Sequence, residues 1–205
     1  MKTLLFGFEP FLGFDENPSE RIVAALQGKK VGDNEIFGLV LPVEYGRAGS
    51  LLTERVNEVK PDLVIGTGLH PGAPRLEIMK LAANLKSSSE KDNAGGVGGG
   101  GRIGEGEPDG IFMSIDAEGL VAHLNSEGVP AMLQLAGDAY ICNFSMFVMA
   151  ELSKKAGFGC GFIHLPLTED FVSKNPARNA ASMSFATMLR GVEAAITYCA
   201  GARKR

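Results

Sequence analysis

Strand-like and helix-like stretches take turns along this chain, and that alternation restricts the fold more than any other property. Residues 2–7 and 62–68 are apolar runs of the length of a buried strand. Asn17-Pro18-Ser19-Glu20 supplies a capping residue, a proline at the first helical position and a glutamate three residues on, so a helix is expected to about Gln27. Strands are expected over 35–43, 75–86, 131–135 and 160–167. Helices are expected over 51–59, 117–128, 140–156 and 180–200. Short links between alternating β and α segments predict a three-layer α/β/α sandwich around a mostly parallel, mixed sheet. At 205 residues with 45% hydrophobic side chains, one domain over 1–205 is expected.

Residues 94–107 stand apart. They hold eight glycines and almost no apolar side chains, so a mobile surface loop is expected. A phosphate-binding loop is not, because the Gly-Lys-Ser/Thr ending is missing. The net charge of −4, with no basic stripe beyond Arg203-Lys204-Arg205, argues against a nucleic-acid partner; that tail reads as a solvated, frayed terminus. No charged-then-apolar leader precedes the first strand, and no apolar run reaches the ~18 residues of a membrane span. With three cysteines, free thiols in a reducing cytoplasm are the expectation, and no membrane partner. Three histidines and three cysteines show no paired ligand spacing, so no metal site is expected.

In an open α/β sheet ligands gather beyond the carboxyl ends of the strands. The loops at 7–18, 66–74, 137–142 and 164–168 meet that condition. Cys142 falls where a glycine-containing turn enters a helix, and His164 near the end of a strand. A helix N-terminus favours thiolate and offers N–H groups to an oxyanion. A Cys–His pair of this kind supports nucleophilic catalysis, with His164 as general base and then general acid. The competing reading is a core cysteine beside a structural histidine. Cys160, Cys199, His70 and His123 are read as structural.

Taken together, Gly7-Phe8-Glu9-Pro10-Phe11, Asn17-Pro18-Ser19, Gly68-Leu69-His70-Pro71-Gly72, Asp92-Asn93, Tyr140-Ile141-Cys142-Asn143 and Gly161-Phe162-Ile163-His164-Leu165-Pro166 resemble the pyroglutamyl peptidase I (pyrrolidone carboxyl peptidase) family. They occur in family order across nearly the whole chain. The resemblance implies a cytosolic cysteine peptidase that removes N-terminal pyroglutamate from peptides and needs no cofactor. It also implies a phosphorylase/hydrolase-like α/β/α fold and assembly as a homodimer or homotetramer. By the same resemblance Cys142 is the nucleophile, His164 the base, and Phe8 and Phe11 line the pocket of the lactam ring.

The chain also departs from the family pattern. Anchored by Asn84 and Asp92-Asn93, Met79 stands where the family carries a catalytic Glu, Lys80 where it usually has Arg, and Ser89 where an Arg precedes the Asp-Asn pair. Glu77, two residues from Met79, shares its face of a strand and is the candidate substitute acid. The loss of two polar groups leaves a second reading open: a catalytically degenerate member that binds a lactam-like or N-terminal ligand. A phosphorylase-like activity on a small heterocycle is compatible with the fold but demanded by no residue.

Overall fold

The computed structural model describes residues 1–203; Lys204 and Arg205 of the basic tail lie outside the described residues. Its elements run β1 (Lys2–Phe8), α1 (Pro18–Leu26), β2 (Lys30–Val31), β3 (Asn34–Leu41), α2 (Tyr45–Val59), β4 (Leu63–Leu69), β5 (Leu76–Met79) and β6 (Leu81–Ala83). They continue through β7 (Gly110–Phe112), α3 (Ala117–Ser126), β8 (Ala131–Gln134), α4 (Ile141–Ala156), β9 (Gly159–Leu165), β10 (Leu167–Thr168), α5 (Glu169–Lys174), β11 (Ser182–Met183) and α6 (Phe185–Arg203). Seven strands form one sheet in the order β2-β3-β1-β4-β9-β5-β8. The run β3-β1-β4-β9 is parallel, and β5 enters antiparallel to β9. The expected mixed, mostly parallel sheet between helical layers is what forms.

Strand alternation divides the core in two. Leu4, Phe6 and Phe8 of β1, Val64 of β4 and Cys160 and Phe162 of β9 join one apolar cluster with α2 and α4. Leu5, Ile65, Ile163 and Leu165 point the other way, into a cluster with α1, α3 and α6. Successive side chains of a strand face opposite sides, so every even-numbered position of β9 is committed to the α2/α4 layer. The cap read from the sequence is also present. The Asn17 side chain accepts from the Ser19 N–H at 3.0 Å, and Ser19 Oγ accepts from the N–H of Phe8 at 2.9 Å, so the start of α1 is tied to the end of β1.

Where the sequence suggested one strand over 75–86 there are two. Glu77 and Met79 face the α2/α4 side, and Ala82 then enters that same cluster after a spacing of three. The period of two slips at Lys80 and Leu81, and β6 leaves the large sheet to pair with β7. Helix α2 begins at Tyr45, six residues before the apolar periodicity that marks it in the sequence, because Ala48 and Gly49 pack against α4 rather than follow a hydrophobic stripe. The final helix starts later than expected. Ser184 Oγ accepts from the Thr187 N–H at 3.1 Å and caps its first turn.

The glycine-rich segment is anchored at several points. Asn84, buried, donates through its amide to the carbonyls of Gly104 at 2.8 Å, Pro108 at 3.0 Å and Glu107 at 3.3 Å. Its side-chain oxygen accepts from Ile103 N–H at 2.7 Å and Gly104 N–H at 2.9 Å. Asp92 accepts from Ala94 and Gly96, and Arg102 pairs with Asp109 at 2.7 Å. One asparagine thus substitutes for the apolar contacts the segment lacks. Asn84→Ala should cost about 2–4 kcal/mol, because each lost bond is worth roughly 1 kcal/mol and buried carbonyls are left bare. Chemical denaturation together with limited proteolysis, with cleavage moving into 94–107, checks this.

Candidate active site

Three neighbouring strands and one helix converge at the carboxyl end of the sheet. Gly68 of β4 is the register partner of His164 of β9, and His164 is the register partner of Glu77 of β5. A row Gly68–His164–Glu77 therefore runs across the sheet on the α2/α4 face. Cys142 lies one residue inside α4, and its sulfur occupies the space above Gly68: a Cβ at Gly68 would lie 2.9 Å from Cys142 Sγ. Glycine is required there, since any side chain would displace the sulfur. Asn143 fixes the helix start. It accepts from Ala83 N–H at 2.9 Å and donates to the carbonyls of Ala83 at 2.9 Å and Leu85 at 2.8 Å. The first N–H groups of α4 have no partner within the helix, so the site has donors for a developing oxyanion.

Glu77 is buried in this row. Its Oε2 lies 3.8 Å from His164 Nδ1 and 2.8 Å from His70 Nδ1. Thus the Glu expected to substitute for the missing acid does face His164, but its shorter contact is to a second histidine. His70 directly follows β4, and its N–H bonds the carbonyl of Leu165 at 2.9 Å, which sets it beside β9. The two imidazoles have centroids 5.6 Å apart. Sequence reading treated His70 as structural; its place in the loop beyond a strand's carboxyl end was the available signal. Met79 is fully buried in the core and faces Phe162 in the register.

A cavity of about 390 Å³ opens over this row. Phe11, Leu12, Tyr140, Ser89, Cys142, His70, Glu77 and His164 are among its lining. Phe11 is part of the cavity wall. Phe8 does not line the cavity. It lies beneath it in the core, its ring centroid 5.9 Å from Phe6 and 6.5 Å from Phe162. The shared motifs hold the rim: Asn93 donates to Glu9 at 2.7 Å and to the Pro10 carbonyl at 3.0 Å, and Tyr140 Oη donates to the Lys91 carbonyl at 2.9 Å.

The electrostatics differ from the thiolate expected at a helix start. Burial, reinforced by the Asp138 charge, pushes the Cys142 thiol up to about 12. Burial also lowers His164 to about 4, helped by His70 and opposed by Glu77. His70 is raised, chiefly by its hydrogen bond to Glu77. Desolvation outweighs the helix dipole here, because a dipole contributes at most ~2 kcal/mol, whereas burying a charge costs more. At rest Cys142 is a neutral thiol and His164 a neutral imidazole. Cys160 and Cys199 are buried in the core, away from the row. His123 stacks on Tyr198. Among the described residues no helix is long and apolar enough to cross a membrane.

Comparison with known proteins places this geometry. The model of the pyroglutamyl peptidase family matches residues 1–201. A pyrrolidone-carboxylate peptidase of Saccharolobus islandicus is 41% identical over 198 residues, which cover 97% of this chain and 94% of the relative. One from Pyrococcus furiosus is 35% identical over 200 residues, covering 96% of each chain. The crystal structure of a pyrrolidone carboxyl peptidase from P. furiosus superposes with a TM-score of 0.94 at 33% identity, covering 98% of this chain and 99% of that one. Sequence and fold agree, and the chain belongs to the pyroglutamyl peptidase family.

Proposed function

We propose that this protein is a cysteine-type omega peptidase that removes N-terminal pyroglutamate from peptides, with Cys142 as nucleophile and His164 as acid–base. Family membership supports the activity. The observation that carries the residue roles is the packing of the Cys142 sulfur over Gly68, next in register to His164, at the floor of a cavity. With both groups neutral at rest, His164 accepts the thiol proton as sulfur attacks the pyroglutamyl carbonyl. The α4 N–H groups receive the oxyanion. His164 then protonates the departing amine, and water, deprotonated by the same imidazole, releases pyroglutamate from the thioester. Glu77 stabilises the transient imidazolium across 3.8 Å. Phe11 contacts the lactam ring. No step draws on a cofactor. The single-domain organisation, the cytoplasmic setting and assembly as a homodimer or homotetramer follow from the same reading.

The activity is tested with a chromogenic pyroglutamyl amide. The parent chain should hydrolyse it, and Cys142→Ala should fall to background. Equal background rates in both, with lactam binding retained, would favour the degenerate binding member. Protonation is tested separately by alkylation of Cys142 with iodoacetamide. A thiol raised to about 12 stays protonated through neutral pH, so its reactive fraction grows as pH rises. The alkylation rate should therefore climb about tenfold per pH unit between roughly pH 7 and 10. A preformed thiolate–imidazolium pair would instead give a rate flat across that range.

A further inference from the structure

The row beneath the cavity has a feature that peptide hydrolysis does not need: two histidines converge on one carboxylate oxygen. His70, Glu77 and His164 present ligand atoms that all lie within 4.8 Å of one another. The individual separations to Glu77 Oε2 are 2.8 Å and 3.8 Å. Zinc bonds imidazole nitrogen at about 2.0–2.1 Å and carboxylate oxygen at about 2.0–2.2 Å, so tetrahedral ligand atoms lie about 3.4 Å apart. The two separations to Glu77 straddle that value and need shifts of under about 1 Å to meet it, and the two histidine nitrogens lie within 4.8 Å of each other. Two imidazoles and one carboxylate lining a cavity form a donor set suited to zinc, cobalt or nickel, whereas magnesium and calcium prefer oxygen alone.

Two further observations favour a cation. The residues lining the cavity include Glu77, Glu90 and Asp138 and no lysine or arginine, so its acidic side chains outnumber permanently basic ones. The donors are also carried on paired backbone. His164 and Glu77 are register partners, and His70 is bonded through its N–H to the residue after His164. A set held this way loses little freedom when a metal binds.

We infer that His70, Glu77 and His164 form a binding site for a divalent transition metal, zinc being the best fit, and that filling it switches the peptidase off. A metal on His164 and Glu77 removes the base and its acid from the reaction, and its open coordination position faces the space the substrate occupies. The switching rests on the catalytic reading above; the binding does not.

Binding is measured in the full-length Cys142→Ala variant, stripped with a chelator and titrated with zinc against a chromophoric zinc indicator. One zinc per chain is expected. Adding His70→Ala, or the bulkier His70→Gln, should weaken it by about tenfold or more, since even residues that only support a ligand are worth 10–100-fold in metal affinity. Circular dichroism confirms that each variant is folded. Absence of a single zinc site in Cys142→Ala, or an affinity unchanged by both His70 substitutions, would overturn the metal site. In the parent chain, hydrolysis of a pyroglutamyl amide should fall in step with zinc occupancy and return on chelation. Full activity in the zinc-loaded chain would overturn the switch. A parent chain inactive before any zinc is added would instead count against the catalytic reading, with the binding result standing apart.

Discussion

The pairing of β9 with its two neighbours is the constraint on which the site depends. Backbone hydrogen bonds set Gly68 beside His164 on one side and Glu77 beside it on the other. A slip of one residue in either ladder would turn the side chains to the opposite face. The antiparallel entry of β5 into an otherwise parallel run is what brings a side chain from the start of that strand to the carboxyl end of β9. The same register explains how Glu77 faces the histidine. It also places Met79 opposite Phe162, deeper in the core, where an apolar side chain is suited to its surroundings.

The sulfur depends on a different kind of contact. It is held by the absence of a side chain at Gly68 and by the hydrogen bonds that fasten Asn143 to β6 and the segment after it. That tie gives the slip at Lys80 a structural use: the strand that leaves the main sheet becomes the anchor for the helix bearing Cys142. Asn84, in the same stretch, holds the glycine-rich segment, so adjacent asparagine contacts secure both the helix start and the loop. Burial leaves Cys142 and His164 uncharged together, which makes proton transfer part of the attack rather than a step before it.

Much of this was legible in the sequence for physical reasons. Alternating periodicity marks the sandwich, and the Asn17–Ser19 cap marks the first helix, because both are local. Cys142 and His164 could be placed at the same end of the sheet because each lies at the end of an element where sheet topology gathers ligands. That Glu77 faces His164 follows from the two-residue period of a strand. The place of His70 beside them was hidden, because it comes from β4 meeting β9, a contact between residues far apart in sequence. The split of β5 from β6 was hidden by residues whose propensities suit a strand throughout. Phe8 shows the opposite limit: still within β1, its ring packs on Phe6 and Phe162 in the core, while Phe11, in the loop beyond the strand, reaches the cavity. The protonation of the thiol depends on burial, which no local pattern reveals.

The central claim is that the β5–β9 register gives this chain its acid at Glu77. It is tested most directly by steady-state kinetics of Glu77→Gln on a pyroglutamyl amide. The substitution keeps the shape of the side chain and removes the charge. Losing the acid of a comparable serine triad lowers turnover by about 10⁴, and a thiol nucleophile depends on it less, so kcat should fall by about 10²–10³-fold with KM little changed. An unchanged kcat in a folded Glu77→Gln variant would contradict the account, leaving Cys142 and His164 to act without a third group.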